Sequence, residues 1–247
     1  MPRLSPLFPL CSAALLLSLG CKANSPAPST AVNPAPQPAV KPAPPTPLAQ
    51  KKEELGSNTT WDPQWDAVIE KGLPPELLSA QAAHAVRPFC PRFAELPEAD
   101  KRAFWAYTFQ ALAAAEAGLN PTSDVHHTAA AVNTIDPVTH ARSHQAGLLQ
   151  LKYEDAQRYG CPFDFAHDRT LPAKDPNRTI LQPENNLACG LRIMGNQIIT
   201  QGKPLVSRTS YWATLQPGTV SYRVFAKQMA NVPSSCGLHE HRRGARR

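Results

Sequence analysis

The sequence predicts a mostly α domain with a small polar, partly β insertion and two disulfides. Three observations predict it. Between residues 61 and 237 apolar side chains recur mainly at helical spacing. One polar stretch, 122–142, interrupts that pattern. Four cysteines, Cys90, Cys161, Cys189 and Cys236, fall inside the same region. Taken in order, 65–71 reads as a short helix. Residues 75–86 read as a second, because LLSAQAAHAV is rich in helix formers. The long helix is 97–118: Glu98 and Asp100 suit its positive end, and Gly118 and Pro121 stop it. Residues 122–142, with His126, His127, Val132, Asn133, Thr134 and Ile135, read as a small irregular β element. Residues 147–159 return to a helical pattern through Leu148, Leu149, Leu151 and Tyr153. Residues 184–200 form an amphipathic helix with Leu187, Leu191, Met194, Gln197 and Ile198 on one side. Residues 206–215 and 221–232 read as final helices, and no internal repeat is visible.

The chain has 247 residues, and not all of them read as fold. Residues 1–20 carry Arg3, then an apolar run from Leu4 to Leu19 broken by Pro6 and Pro9. A basic start, a short apolar core and a small residue before the cut describe a secretory signal. Gly20-Cys21 is similar to a bacterial lipobox, which makes Cys21 the lipidation candidate, although Ser18 and Leu19 stand in reversed order. Residues 21–56 are rich in Pro and Ala and cannot bury a core, so they read as an extended tether. The domain then takes 57–237, and 238–247 form a basic tail. Formal charge is +6, of which Arg3 and the tail's Arg242, Arg243, Arg246 and Arg247 supply five. A near-neutral domain removes the main support for nucleic-acid binding. Four domain cysteines in an exported chain imply two disulfides with three possible pairings. The preferred one joins Cys161 to Cys189, which flank motifs expected to meet, and leaves Cys90 with Cys236. No CxxC spacing suggests zinc, and His126, His127, His140 and His144 match no zinc pattern, so neither a metal nor a cofactor is expected.

The most informative residue is Glu116. Trp105, Phe109, Leu112 and Glu116 fall at i, i+4, i+7 and i+11, on one helical face. Three are large and apolar, and the fourth is a carboxylate at the end of the helix. Burial disfavours a charged carboxylate, and the partial negative charge of a helix C-terminus acts the same way. An acid that keeps its proton near neutral pH is what general-acid chemistry needs.

Four segments then follow in order: Glu116-Ala117-Gly118-Leu119-Asn120-Pro121, Ser143-His144-Gln145-Ala146-Gly147-Leu148-Leu149-Gln150, Pro183-Glu184-Asn185-Asn186-Leu187-Ala188-Cys189-Gly190, and Tyr211-Trp212-Ala213-Thr214-Leu215. Together they resemble the soluble-lytic-transglycosylase domain, a lysozyme-like fold that cuts bacterial peptidoglycan. The resemblance covers about 104–215. It implies Glu116 as catalytic acid and Ser143, Gly147, Leu149 and Gln150 as a substrate-groove motif. It implies Asn186 from the third motif, and Tyr211 or Trp212 from the fourth. Ala117 stands where the family usually has Ser, Leu149 replaces a Met, and the usual last motif is altered.

Cutting a β-1,4 glycosidic bond needs an acid to protonate the leaving oxygen, and a retaining hydrolase adds a second carboxylate about 5 Å away. Asp124 and Asp136 are the candidates, each with a turn role as its simpler explanation. Lysozyme is the type case of such a buried glutamate, so this role is carried over with the resemblance. Lytic transglycosylases, the resemblance implies, use one acid and form a 1,6-anhydromuramic end. A hydrolytic muramidase on the same fold is the alternative, and a non-catalytic wall-binding lipoprotein is the third reading. Gln150 offers a donor and an acceptor to N-acetyl groups, Asn186 is also a helix-cap residue type, and Tyr153, Tyr211 and Trp212 suit either sugar stacking or core. The expected partners of this monomer are peptidoglycan glycan strands and, through Cys21, a membrane facing the periplasm.

Overall fold

The computed structural model describes residues 61–123, 134–232 and 234–238. The expected signal, the tether with Cys21, and the tail beyond residue 238 lie outside the described residues, as do Asp124, His126 and His127.

The fold is built around one helix, α3 (Glu98–Ala117), after α1 (Pro63–Gly72) and α2 (Ala80–Val86). Acidic Glu98 and Asp100 occupy its first turn, and Arg102 reaches back to Glu98 at 2.7 Å. Its C-cap Gly118 sits at φ 58° and donates to the carbonyls of Ala113 and Ala114. A left-handed cap of this kind is what glycine allows without steric cost. Every side chain from Ala103 to Ala113 is buried. The face carrying Trp105, Phe109, Leu112 and Glu116 is therefore only part of what α3 hides.

Asp62 caps α1 by accepting from the Gln64 N–H at 2.8 Å, and α1 buries Trp65 and Ile69. It packs on α3 and on α6 (Pro183–Gly195). Between α1 and α2, a 3-10 turn (Pro75–Leu78) offers the Leu77 carbonyl to Trp105 Nε1 at 2.8 Å. Phe93, Phe104 and Trp105 meet edge to face, a favourable arrangement of aromatic quadrupoles. On the other flank α7 (Val220–Met229) buries Phe225 and Met229, and the Tyr107 hydroxyl donates to the Gln228 carbonyl at 2.6 Å.

Residues 147–159 depart from the helical expectation. Ala146 and Leu151 exchange backbone hydrogen bonds of 2.8 and 2.9 Å around a tight turn. Within it Gly147 has φ 80° and Gln150 φ 50°, which no helix continues through. The helix forms only at α4 (Glu154–Tyr159), followed by a short α5 (Phe165–Asp168) that Asp164 caps. Residues 206–215 are likewise a loop, with only a 3-10 turn at Ala213–Leu215. Its serines and threonines bond locally instead: Ser210 Oγ accepts from the Ser207 N–H, and Ser207 Oγ from the Thr209 N–H. Of the expected β element, the described residues show an isolated bridge between Ile135 and Arg142.

Asn186 joins the 147–150 turn to α6. Its Oδ1 accepts from the Leu149 N–H at 2.8 Å, and its Nδ2 donates to the carbonyls of Ile180 and Ala146 at 3.0 and 3.2 Å. A Cβ on Gly147 would lie 2.3 Å from that same Nδ2. Four residues further along α6, a Cβ on Gly190 would lie 2.3 Å from Leu149 Cδ1 and 2.9 Å from Phe109 Cε1. Both glycines are thus close-approach positions.

Disulfides join Cys90 to Cys236, 146 residues apart, and Cys161 to Cys189, 28 apart. This is the preferred pairing. By chain entropy alone they stabilise the fold by about 5 and about 4 kcal/mol.

Asn186→Ala strands the buried Leu149 N–H and the Ile180 carbonyl, while the Ala146 carbonyl keeps the Leu151 N–H. It is expected to cost about 3–5 kcal/mol in urea unfolding of the oxidised protein; a loss below about 1 kcal/mol removes Asn186 as the joint.

Candidate active site

Glu116 occupies the last turn of α3, 3 % exposed, and lines a cleft of about 490 Å³. Gln145 contributes from the stretch before the 147–150 turn. Lys152, Glu154, Arg158 and Tyr159 come from α4 and its entrance. Asn196, Gln197 and Gln201 come from the end of α6, where the helix widens into one π turn (Asn196–Thr200). Such single π turns often mark functional positions. Tyr211 and Trp212 close the cleft from the loop.

That loop is held from three sides. Gln197, itself buried, donates through Nε2 to the carbonyls of Pro204 and Leu205 at 2.9 and 3.0 Å, and its Oε1 accepts from the Tyr211 N–H at 3.4 Å. Trp212 Nε1 donates to the Leu149 carbonyl at 2.8 Å. The Tyr211 hydroxyl donates to Asp155 Oδ2 at 2.6 Å. The rings of Tyr211 and Trp212 lie 4.9 Å apart, and those of Tyr159 and Tyr211 6.2 Å, both edge to face. They form a short aromatic wall whose inner member, Trp212, is only 2 % exposed.

Two further carboxylates lie near this wall. Glu154 faces the cleft and pairs with Lys152 Nζ at 3.1 Å. Asp155 is fully buried and accepts the Lys152 N–H at 2.8 Å besides the Tyr211 hydroxyl. Burial pushes the Asp155 carboxyl up to about 6, against the lowering effect of its two hydrogen bonds. Burial first, then the Asp155 charge, pushes the Tyr211 phenol well above its ordinary value, so its proton stays in place to donate.

Glu116, Tyr211 and Trp212 line the same cleft. The other residues expected in the substrate groove do not line the cleft. Gln150 is completely buried and spends its Nε2 on the carbonyls of Ser123 and Gly147 at 3.0 and 2.8 Å, so it has no exposed amide for a sugar. Leu149 and Asn186 are also fully buried, and Asn186 lies inside α6 rather than at its cap. Gly147 supports the turn, and Ser143 is buried beside it, donating its N–H to the Thr134 carbonyl at 2.7 Å. These are corrections from groove to core: the motif builds the joint behind the cleft. Tyr153 belongs to the core too, its hydroxyl donating to Asp168 Oδ2 at 2.9 Å. Asp136 accepts the N–H groups of Val138, Thr139 and Glu154 and lines a different cavity, consistent with a turn role. Sequence reasoning missed Gln145, Lys152, Glu154, Arg158 and Asn196. It placed Gln197 on an apolar helix face, the same anomaly that singled out Glu116.

Among the described residues no group of His, Cys, Asp and Glu comes together as a metal site, and no helix is long and apolar enough to cross a membrane. The two disulfides indicate an oxidising, extracytoplasmic compartment.

A mostly helical body, a glutamate at the end of its central helix and a cleft beside it define a lysozyme-like fold. The chain is similar to structures of Bd0314 DslA, a Bdellovibrio protein with such a fold. The wild-type form is matched at 20 % identity over 70 % of this chain and 91 % of that one, with a TM-score of 0.52. Two glutamate-to-glutamine mutants of it match at 20 % identity, with TM-scores of 0.55 over 74 % of this chain and 96 % of that one, and 0.53 over 70 % and 91 %. No protein-family model matches, and no curated protein matches.

The folded protein binds the Asp155 proton more tightly than the unfolded chain, whose ordinary value is 3.8 against about 6. The stability this group contributes is therefore present below pH 3.8 and lost as pH rises through about 6. Asp155→Asn should gain on the wild type by about 2–3 kcal/mol between pH 4 and pH 7 in urea unfolding. A difference constant with pH refutes the raised value.

Proposed function

We propose that this protein is a peptidoglycan lytic transglycosylase that cleaves the β-1,4 bond between muramic acid and glucosamine units. The observation that carries the reading is Glu116. It is a nearly buried carboxyl group at the end of the central helix of a lysozyme-like fold, reaching a cleft walled by Tyr159, Tyr211 and Trp212. Aromatic faces suit the apolar faces of sugar rings. The side-chain amides of Gln145, Asn196 and Gln201 supply donors and acceptors for sugar hydroxyl and N-acetyl groups.

In the reaction Glu116 gives its proton to the glycosidic oxygen as the bond from that oxygen to the anomeric carbon breaks. The resulting Glu116 carboxylate then takes the proton of the muramic C6 hydroxyl, whose oxygen bonds to the anomeric carbon. Glu116 ends as it began, protonated, and no water is consumed. Of the two expected second carboxylates, Asp136 is committed to three backbone N–H groups elsewhere, which supports a single-acid route, and Asp124 lies outside the described residues. Glycan strands are the partner this assigns, with Cys21 as lipid anchor and the periplasm as location.

A second reading has its own observation. Glu154 lines the same cleft as Glu116, and a second carboxylate there is what a hydrolytic muramidase uses to activate water or capture the sugar. Mass spectrometry of fragments released from purified peptidoglycan separates the two. Anhydro fragments, one water lighter than hydrolysis products, are expected, and Glu116→Gln should slow their release at least about 100-fold. Hydrated fragments whose release collapses in Glu154→Gln establish the muramidase. Wall binding with no fragments at all leaves a non-catalytic binding lipoprotein.

A further inference from the structure

The reaction leaves one buried acid of the site unused. Asp155 Oδ2 accepts two hydrogen bonds, from the Tyr211 hydroxyl and from the Lys152 N–H. Its Oδ1 is buried and makes no hydrogen bond among the described residues. Keeping such a carboxylate out of water is unfavourable, so its retention calls for a role. What it holds is the ring of Tyr211, which lines the cleft with Glu116 and stands between Tyr159 and Trp212. Trp212 is anchored separately, by its indole N–H on the Leu149 carbonyl. Tyr211 is anchored at its backbone by Gln197, but at its outer end by Asp155.

We infer that Asp155 is a positioning residue for glycan binding: through the Tyr211 hydroxyl it sets the aromatic wall of the cleft, and its protonation loosens that wall. The inference rests on the glycan-cleaving reading of this cleft and adds a pH control to it. A proton entering on the dry Oδ1 makes Oδ2 a weaker acceptor, since bonds to a charged oxygen are about twice as strong as neutral ones. The charged and titratable groups around Asp155 come from each neighbouring element. Lys152 and Glu154 flank it in sequence and pair with each other at 3.1 Å. Arg158, further along α4, stands 5.3 Å over the Tyr159 ring. Arg192 of α6 donates to the Gly160 carbonyl at the end of α4, and Tyr211 faces Asp155 from the loop. Lys152 and Glu154 act on Asp155 in opposite directions and rank below burial, so burial sets its midpoint near 6.

The test uses the full oxidised chain carrying Glu116→Gln, so that glycan binds without turnover. Affinity for soluble peptidoglycan glycan fragments is measured by calorimetry from pH 5 to pH 7.5. Binding is expected to weaken severalfold toward pH 5 with a midpoint near 6. Adding Asp155→Asn should flatten the profile. Tyr211→Phe, which keeps the ring and the acid but removes the hydroxyl, should flatten it as well and hold affinity at the weak, acid-side level. If the Asn variant does not fold, the Phe variant alone decides the question. A profile unchanged by these substitutions in folded protein overturns the role of Asp155 while leaving the glycan reading intact. No glycan binding at any pH overturns both.

Discussion

The side-chain amide of Asn186 is the constraint on which the site depends. Its three hydrogen bonds tie the 147–150 turn to α6, and two of them reach backbone groups, the Leu149 N–H and the Ile180 carbonyl, that no helix or bridge serves. The turn in turn presents the Leu149 carbonyl, on which Trp212 hangs. A chain of hydrogen bonds thus runs from inside α6 through a tight turn to the aromatic wall of the cleft. Gly147 and Gly190 make it sterically possible, since a side chain at either would collide with the joint. Polar networks of this kind give geometric definition where an apolar contact would allow sliding.

Glu116 profits from the same arrangement. Its helix is buried on all sides over 103–113 and is pinned by Trp105 at one flank and Tyr107 at another. A carboxyl group one turn beyond that block inherits its rigidity. The loop opposite is held by Gln197, which spends both ends of its amide on it. On the proposed reading, such rigid placement is what would convert binding into rate.

The legibility of this structure in its sequence follows from where the information sits. The long helix, its stop at Gly118 and the position of Glu116 are local patterns, and each reads directly from spacing and cap chemistry. The pairing of the cysteines was legible because two motifs had to meet. Residues 147–150 misled because Leu148, Leu149 and Leu151 imitate a helix face, while the deciding interaction comes from Asn186, some 37 residues away from Leu149. Motif residues were read as sugar ligands for the same reason: a polar side chain that will be consumed by distant backbone groups looks free in one dimension. Cleft residues such as Gln145, Lys152 and Glu154 carry no pattern of their own and acquire meaning only from the cavity they share.

The bond between Cys90 and Cys236 bears on how this domain is made. The segment ending at Cys236 also supplies the carbonyl that receives the Arg92 N–H at 3.1 Å, and α7 just before it covers the central helix at Tyr107. A nascent chain therefore lacks one wall of its core until nearly the last residue of the domain has emerged. The thiols stay reduced in a reducing compartment. The covalent tie between the two ends of the domain is therefore a late event, made where an oxidant is present.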